Sequence, residues 1–517
     1  GKNHLFYRNG SQAFDPASRS ARDRYSLSMC VYECFGRLDA KENDTWKLRY
    51  GELADVPLQD WPEEARQYPL DDALNTYDVA VYQQDPKNGF MNLHDQSKQA
   101  HTAFCLQLAT VYGIRADPVR SEKFITENEA AVHAMQGALI EAGLLKPKYK
   151  GRGSNKTIVG YSRDTAAVRA RVSAAMGVMT PTTDKGDVST ERTVLNDSGD
   201  PVLATMAQYG AGTSRTRYYE ALRTASQVPL NVPANVLLVT GRTSYSGVIQ
   251  TFPQKGGIRE CFVPRPGYVY CSVDYSGIEL SALSQVCLWT VGHSKLAEVL
   301  NSGKDAHSVF GSEMGGYGYD EFLKNKKKDP FSGLRQGAKA ANFGYPGGMG
   351  EVTFVVQKRR AGMILCQLLN PSKVCGTRKL REYRGKPLDF PVCADCVQES
   401  LKLRQGFFRN WPEVGEYLNW VKDHLLLNNK SITQFVSKRI RGSCKFTAGA
   451  NTLFQGLAAD GFKEAIRELT RRMYLMPSSA LFGCRAIMYT HDDGLLEMPE
   501  DRAPEAAEEQ SKVMVEC

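Results

Sequence analysis

Two aspartates follow apolar stretches, at positions where a carboxylate is held firmly but can still be reached. Asp274 ends the predicted buried strand 267–274, and Asp492 lies at the bend of two short strands predicted over 484–498. Two such carboxylates on adjacent strands repel each other unless they are protonated or share a hard cation. Mg²⁺ prefers one or two carboxylates together with substrate phosphates. Either aspartate alone is more typical of a cap or a turn, so a metal site needs a third element.

That third element is a segment with two cations and an aromatic ring on one helical face. Arg335, Lys339 and Phe343 recur at intervals of four residues, which places them on the same side of a helix. The cations suit a triphosphate and the ring suits a base or a sugar, so this face could hold a nucleotide from end to end. A solvated basic stripe beside a core phenylalanine is the alternative interpretation.

The three segments together resemble motifs A, B and C of DNA polymerase family A, the DNA polymerase I class. The matches are residues 273–280, the pattern Arg335-x3-Lys339-x2-Asn342-Phe343-Gly344, and His491-Asp492-Asp493. Further stretches resemble the family in the same order along the chain: residues 240–244 with Gln250, the triplet 305–307, and Asn451-x3-Gln455. The resemblance covers about residues 95–517 and favours a phage-type member.

The resemblance implies a polymerase that adds deoxynucleotides to a primer with the help of two Mg²⁺ ions. Asp274 and Asp492 would hold the ions, and the backbone carbonyl of Tyr275 would complete the metal site. The resemblance also assigns the nucleotide contacts. These are phosphate binding by Arg335, Lys339 and His307, stacking by Phe343, and exclusion of a ribose 2′-hydroxyl by Glu279, the steric gate.

Contacts with the DNA itself are assigned by the same resemblance to Arg242, Gln250, Tyr345, Asn451, Gln455 and His491. The family has a tyrosine where this chain has Gly347, so either Tyr345 takes over stacking on the template base or the insertion pocket is looser. Pro346 has no N–H and disfavours helix at the preceding residue, so the helix should stop at Tyr345.

The order of elements predicts a mixed α+β fold, with a small sheet among many helices. The resemblance implies a right-hand polymerase of thumb, palm and fingers with a small antiparallel palm sheet. The expected bounds are 91–240 for the thumb and connecting helices, 241–300 and 451–517 for the palm, and 301–450 for the fingers. One helix, over about 93–113, should present an apolar face made of Phe104, Leu106, Leu108, Ala109 and Val111.

A cysteine-containing insertion is expected in the fingers at about 362–400. It contains Cys366, Cys375, Cys393 and Cys396, four of the thirteen cysteines of the chain. A Cys-x2-Cys pair with two further cysteines nearby suits tetrahedral Zn²⁺ bound by four thiolates. The spacing of the first two is unusual for such a site, and scattered core cysteines are the alternative.

The amino-terminal residues 1–90 are interpreted as the C-terminal part of a truncated 3′–5′ exonuclease-like domain. Tyr68-x3-Asp72 resembles the third motif of the proofreading exonuclease that precedes the polymerase in this family. The first motif of that exonuclease, Asp-x-Glu, does not occur before residue 68. A tyrosine and an aspartate four residues apart on a helix are also ordinary surface residues.

Composition bounds the class of protein. The chain has 517 residues, 42% hydrophobic and 24% charged, with a formal net charge of +8. These values are typical of a globular protein and exclude a collagen-like, disordered or disulfide-rich secreted chain. No apolar run is long enough for a membrane span, so a cytoplasmic protein without a membrane partner is expected. The basic excess suits a polyanion, and the Gly-rich basic loop predicted at 146–159 is either a nucleic-acid contact or a solvated surface linker. The expected partners are primer–template DNA and dNTPs.

Two other functions stay open at this point. A single-subunit RNA polymerase shares the palm but lacks a steric gate at position 279, whereas this chain has Glu279. A non-catalytic DNA-binding relic of a polymerase would be expected to lose a palm aspartate, whereas Asp274 and Asp492 are both present.

Overall fold

The computed structural model describes residues 27–36, 46, 49–85, 87, 95–150, 157–177, 180–181, 183, 187–236, 238–253, 256–360, 363–368, 372–490 and 492–517. Helices form most of this part of the chain, and its strands form small antiparallel sheets. The predicted mixed α+β fold is therefore confirmed. No helix within the ranges just given combines the length and the apolar character that a membrane crossing requires.

The first half of the chain is largely helical. Its elements are α1 (Leu27–Phe35), α2 (Glu63–Gln84), α3 (Gln96–Tyr112), α4 (Pro118–Glu141), β1 (Leu145–Lys150), β2 (Thr157–Arg163), α5 (Thr165–Met176), α6 (Arg192–Asp197), α7 (Pro201–Arg215), α8 (Tyr219–Gln227), β3 (Ala234–Asn235) and β4 (Ser244–Tyr245). Asp117, Asp164 and Asp200 accept backbone N–H groups at the starts of α4, α5 and α7, which explains where these helices begin.

The second half contains the segments that carry the predicted chemistry. Its elements are β5 (Tyr268–Asp274), α9 (Ile278–Val291), α10 (Lys295–Asn301), α11 (Ala306–Gly315), α12 (Tyr319–Asn325), α13 (Phe331–Gly344), α14 (Glu351–Arg360), β6 (Lys379–Tyr383), β7 (Lys386–Cys393), α15 (Ala394–Asn410), α16 (Pro412–Leu427), β8 (Ile432–Thr433), β9 (Ile440–Arg441), α17 (Phe446–Leu475), β10 (Arg485–Thr490), β11 (Asp493–Pro499) and α18 (Ala503–Glu516). The domain bounds proposed from the sequence stay predictions.

A three-stranded sheet, in the order β10-β11-β5, positions the two predicted aspartates. Strands β10 and β11 form the predicted hairpin, and β11 pairs antiparallel with β5 along its whole length. In this register Asp493 lies directly opposite Asp274. The predicted strand and the predicted hairpin are confirmed, and they are adjacent in one sheet.

Both faces of this sheet pack against apolar residues. Leu496 belongs to a core with Phe462 of α17 and Val513 of α18, whereas its neighbour Leu495 packs against a second core that includes Ile487. Successive side chains of a strand point to opposite faces, so one strand serves both cores. This double support gives the residues at the end of the sheet a rigid base.

Helix α3 is confirmed, but the face predicted for it is partly wrong. Cys105, Leu106 and Ala109 are buried in the core that also contains Phe462 and Leu496, whereas Phe104 and Val111 are 59% and 66% exposed. Apolar residues occur around most of this helix, so the sequence offers two apolar stripes. The packing partners, strand β10 and helix α17, decide which of them is buried.

The basic segment 146–159 is not a loop throughout, as the sequence predicted. Strands β1 and β2 form an antiparallel hairpin that includes most of it, and residues 151–156 lie outside the described residues. Lys146, Lys148 and Lys150 alternate along β1 and are all exposed. Pairing of the strands therefore lines up three ammonium groups on one face of the hairpin.

Helix α13 lies in the largest buried cluster and packs against α11 and α15. Its Leu334, Ala338 and Ala341 are buried, whereas Arg335 is only partly buried and Lys339 is exposed. The helix ends at Gly344, and a 3₁₀ turn, Tyr345–Gly347, follows. The predicted end of the helix before Pro346 is confirmed.

Candidate functional site

Three carboxylates meet at one end of the three-stranded sheet. Asp274 ends β5 opposite Asp493, the first residue of β11, and Asp492 immediately precedes it in the turn. The backbone N–H of Tyr275 donates a hydrogen bond of 3.4 Å to the carbonyl of Asp492, which ties the turn to the end of β5. The two aspartates predicted from separate segments are therefore neighbours.

The electrostatics of this edge fit a divalent cation. Burial raises the pKa of Asp493, and the facing Asp274 carboxylate raises it further. A hydrogen bond of 2.6 Å from the Ser272 hydroxyl to Oδ1 opposes this shift. Like charges opposite each other across two strands are destabilising, and a cation held by carboxylate oxygens would remove that repulsion. The donor set is of the kind that Mg²⁺ prefers.

Glu279 and Arg242 form an ion pair next to the acidic edge. Glu279 lies in the first turn of α9, and the two side chains are 22% and 34% exposed. Burial lowers the pKa of Arg242, and the nearby Asp492 carboxylate opposes that shift. Sequence analysis assigned Glu279 to the sugar and Arg242 to the DNA, and the structure joins them in one pair.

The outward face of α13 carries the three predicted nucleotide contacts, but its first cation is already engaged. Lys339 is exposed, and Phe343 is 43% exposed. Nε and Nη2 of Arg335 both donate to Oδ2 of Asp305, at 3.0 and 2.8 Å. The face therefore presents one solvated ammonium, one ring and one guanidinium that is held by a carboxylate.

Asp305 connects this face to helix α11. Its carboxylate accepts the backbone N–H of His307 at 3.1 Å and the hydroxyl of Ser308 at 2.7 Å, which caps the helix. Burial raises the pKa of Asp305, but the hydrogen bonds from Ser308 and Arg335 outweigh burial and the net shift is downward. Asp305 is therefore ionised at neutral pH and holds Arg335 in a fixed place.

His307 takes part in a chain of hydrogen bonds that decides which ring nitrogen carries its proton. The indole N–H of Trp411 donates to Oδ1 of Asn342 at 3.2 Å, and an indole nitrogen can only donate, so the amide oxygen faces it. The amide nitrogen of Asn342 then lies 2.9 Å from Nδ1 of His307 and donates to it. The neutral His307 ring therefore carries its proton on Nε2 and can donate from that atom.

We expect His307 to be neutral at pH 7. Its pKa is lowered from 6.5 to about 4, first by burial, which the Asp305 carboxylate opposes, and then by the cations of Arg335 and Lys339. Between these two pKa values the unfolded chain binds more protons than the folded one. The stability that depends on neutral His307 is therefore complete above pH 6.5 and is lost as the pH falls toward 4. An NMR titration of the His307 ring should give a midpoint near pH 4.

A His307→Gln variant is the control for this titration. The variant lacks the ionisable ring, so wild type should lose more unfolding free energy than the variant when the pH is lowered from about 7 to about 5. The remaining titratable groups are the same in both proteins, so their contributions cancel in the comparison. Parallel losses in the two proteins would contradict the lowered pKa.

Helix α17 carries the predicted minor-groove residues. Asn451 and Gln455 are four residues apart, so they lie on one face, and both are partly buried. The Asn451 side chain donates to the Thr447 carbonyl at 2.8 Å. A Cβ atom at Gly347 would lie 2.6 Å from the Asn451 amide nitrogen, so a larger residue there would displace this side chain. Gln250, in the 3₁₀ turn Ile249–Thr251, is partly buried.

The prediction that Tyr345 contacts DNA does not fit its position. Its side chain is fully buried, its hydroxyl donates to the Ser400 carbonyl at 2.8 Å, and its ring stacks on Phe354 with centroids 4.6 Å apart. A ring enclosed in this buried cluster cannot also stack on a template base. His491, which was also predicted to contact DNA, lies outside the described residues.

The four predicted cysteines converge, although they come from distant positions in the chain. The sulfur atoms of Cys366, Cys375, Cys393 and Cys396 all lie within 4.8 Å of one another.

The residues predicted to belong to an exonuclease remnant lie on helix α2. Tyr68 and Asp72 lie on one face of α2 and are both partly buried, and the centroid of the Tyr68 ring is 6.3 Å from that of the Tyr50 ring. That arrangement assigns no chemistry to them.

Sequence reasoning missed three residues that support the site. Asn342 stands inside the motif B pattern, but its role depends on Trp411, which is 69 residues away. Arg359 lies beside the cysteine cluster, with Nη2 2.6 Å from the Cys375 sulfur. Asn342 could have been singled out as a polar residue on the buried side of an amphipathic helix. Trp411 and Arg359 gave no comparable signal.

The amino-acid sequence is similar to those of known DNA polymerases. Residues 169–359 match the sequence model for DNA polymerase family A. DNA polymerase I of Helicobacter pylori is 23% identical over 330 residues, which cover 62% of this chain and 28% of that protein. The thermostable DNA polymerase I of Thermus thermophilus is 27% identical over 275 residues, which cover 52% of this chain and 28% of that protein. The chain thus spans less than a third of the length of these relatives.

A solved structure shows the same fold over almost the whole chain. It contains the POL domain of Pol1 from M. smegmatis in complex with DNA primer-template and dNTP. It matches with a TM-score of 0.61 and 19% identity, covering 99% of this chain and 77% of that chain. The fold is therefore that of a polymerase domain. The family model matches a minority of the chain, so the sequence comparisons show a similarity to DNA polymerase family A over that part.

Proposed function

We propose that this chain carries out template-directed DNA synthesis, in which deoxynucleotides are added to a primer 3′-hydroxyl. The observation that carries the proposal is the meeting of Asp274 and Asp492 at one end of a rigid palm sheet. Support comes from the fold shared with a polymerase domain that binds primer–template DNA and dNTP. The partners proposed for this chain are the same two ligands.

Asp274, Asp492 and the backbone carbonyl of Tyr275 would hold two Mg²⁺ ions. When bound, such ions lower the pKa of an attacking hydroxyl and neutralise charge on the leaving group. The protein contributes the fixed position of the carboxylates, since β5 and β11 are paired up to Asp274 and Asp493. Placement and electrostatics, rather than covalent chemistry, would then account for the rate enhancement.

The outward face of α13 would bind the triphosphate. Lys339 is a solvated ammonium, and Arg335 would exchange its contact with Asp305 for one with phosphate oxygens. His307 would donate from Nε2 to a phosphate without adding a full charge. The exposed ring of Phe343 lies 5.5 Å from the His307 ring and would stack on the base or sugar.

The DNA would lie along α17 and the lysine-bearing hairpin. Asn451 and Gln455 would contact the minor groove, whose acceptor pattern is nearly the same for every base pair. The row of lysines on β1 would contact phosphates, and binding should weaken as salt rises because phosphate contacts release counterions. These roles do not require sequence-specific recognition, which suits a polymerase.

Primer extension on a template with a recessed 3′ end tests the proposal directly. The expected result is Mg²⁺-dependent addition of the dNTP that is complementary to the template. Addition of ribonucleotides in preference to deoxynucleotides would favour an RNA polymerase. DNA binding without any extension would favour a non-catalytic relic. The relatives named above are bacterial, and the phage origin expected from the sequence stays a prediction.

Replacing Glu279 with alanine is expected to weaken discrimination against ribonucleotides by about 10- to 200-fold, the range that small steric differences in a pocket produce. The side chain would otherwise occupy the space of a ribose 2′-hydroxyl. Single-nucleotide incorporation of each dNTP and its matching rNTP measures the ratio of kcat/KM values.

Two variants make this experiment specific. Glu129→Ala removes an exposed glutamate on α4 and should leave the ratio unchanged. Arg242→Ala removes the partner that holds Glu279, so it should shift the ratio in the same direction by a smaller factor. An unchanged ratio in Glu279→Ala would refute the assignment of the steric gate.

A further inference from the structure

Four cysteine sulfurs in the fingers have the spacing of a tetrahedral metal site. Those of Cys366, Cys375, Cys393 and Cys396 lie within 4.8 Å of one another, and those of Cys375 and Cys396 are 3.7 Å apart. Four sulfurs around one Zn²⁺ ion, with Zn–S bonds of about 2.3 Å, stand about 3.8 Å from each other. The cluster therefore needs little movement to take up a metal ion.

The ligands come from two arms that meet, as in closed structural zinc sites. Cys366 lies in the 3₁₀ turn Leu365–Gln367, and Cys375 lies in the turn before β6. Cys393 ends β7 and is also the N-cap of α15, and Cys396 lies in the first turn of that helix. The β6–β7 hairpin thus separates one pair of ligands from the other.

Donor groups around the sulfurs suit thiolates rather than neutral thiols. The backbone N–H of Gly376 donates to the Cys393 sulfur at 3.3 Å, and a φ of +87° at this glycine makes the turn possible. Nη2 of Arg359 lies 2.6 Å from the Cys375 sulfur and 3.7 Å from the Cys396 sulfur. The N-terminal end of α15 also favours negative charge at its N-cap, Cys393, and at Cys396 in its first turn.

A metal ion would give this part of the fingers the rigidity that its own core does not supply. Strand β6 is largely exposed, so the hairpin buries few side chains of its own. Helix α15 packs against α13, and its Ser400 carbonyl accepts the hydroxyl of Tyr345. Fixing the hairpin to the start of α15 therefore also steadies the helix that backs the proposed nucleotide face.

We propose that Cys366, Cys375, Cys393 and Cys396 bind one structural Zn²⁺ ion through four thiolates, and that this ion fixes the β6–β7 hairpin to α15. Binding converts thiols to thiolates and releases their protons to solvent, and no oxidant or reductant is needed. The site is separate from the proposed Mg²⁺ site and does not depend on catalysis. Arg359 would offset part of the negative charge of the zinc–thiolate centre.

Metal analysis of the whole chain, purified without added chelator, tests the proposal. We expect about one zinc per chain, and less than about 0.1 in a Cys393→Ser/Cys396→Ser variant. Cys444→Ser is the matched control, because Cys444 is buried elsewhere in the fingers and should leave the zinc content unchanged. Iron in place of zinc, or cysteines that resist alkylation until a disulfide is reduced, would overturn the proposal.

A second measurement uses the wild-type chain alone and does not depend on whether the variants fold. Replacing the bound metal with Co²⁺ should produce the intense visible bands of a tetrahedral cobalt–thiolate centre. Chelation of zinc should lower the melting temperature by several degrees, and added zinc should restore it. A spectrum of octahedral cobalt, or a melting temperature that chelation leaves unchanged, would contradict a structural four-thiolate site.

Discussion

Replacing Asp274 or Asp492 with asparagine should reduce primer extension by at least about 10³-fold, which corresponds to about 4 kcal/mol of transition-state stabilisation. Asparagine keeps the shape of aspartate but lacks the charge that holds two divalent cations. DNA affinity should change little, because the proposed DNA contacts lie on α17 and on the β1–β2 hairpin. Single-turnover extension and a parallel binding titration separate the two effects.

The control for this pair is Asp501→Asn, which alters an exposed aspartate in the 3₁₀ turn after β11 and should extend primers normally. Asp493→Asn gives a further comparison, since Asp493 shares the sheet edge and accepts a hydrogen bond from Ser272. Near-normal extension by either Asp274→Asn or Asp492→Asn would refute the proposed metal site.

The second large effect is on stability: Tyr345→Ala should lower the free energy of unfolding by about 3–5 kcal/mol, as for other fully buried aromatic residues. The variant removes a ring that stacks on Phe354 and leaves the Ser400 carbonyl without the donor hydroxyl. Tyr345→Phe keeps the packing and loses the hydrogen bond alone, which should cost about 1 kcal/mol. Thermal unfolding followed by circular dichroism measures both variants.

This experiment also decides between the two roles considered for Tyr345. Tyr77→Ala is the control, because Tyr77 is 67% exposed on α2 and its removal should be nearly neutral. If Tyr345→Ala unfolds like wild type but incorporates wrong nucleotides more often, the residue acts on the template. The Tyr345 side chain would then leave its buried position during nucleotide incorporation.

The parts of the site that were predicted from sequence are those encoded by short-range patterns. Arg335, Lys339 and Phe343 share a face because of helical periodicity alone, and the end of the helix follows from Pro346 alone. Asp274 and Asp492 were each placed at a strand end by local patterns of apolar residues. Their position next to each other was not encoded locally and was expected only through the family resemblance.

The predictions that the structure does not support are those that depend on tertiary packing. Tyr345 follows a motif that suggests an exposed role, but Phe354 and Ser400, from α14 and α15, enclose it. Phe104 and Val111 on α3 belong to an apolar stripe that has no partner among the described residues, because β10 and α17 cover the other stripe. Local periodicity does not show which of two similar surfaces is buried.

The hydrogen bond from Trp411 to Asn342 restricts which substitutions the fingers can accept. A phenylalanine at position 411 would fill most of the same space, yet the Asn342 amide oxygen would lose its donor, and only the 3.5 Å hydrogen bond from the amide nitrogen to the Ala306 carbonyl would still oppose a half-turn rotation of the amide. In that orientation its oxygen would face His307, and the proton of the ring would move to the other nitrogen. A substitution at the buried Trp411, two hydrogen bonds away from His307, would thus weaken the control over which nitrogen of the His307 ring carries the proton. A substitute for Trp411 must therefore supply an N–H donor as well as a similar volume.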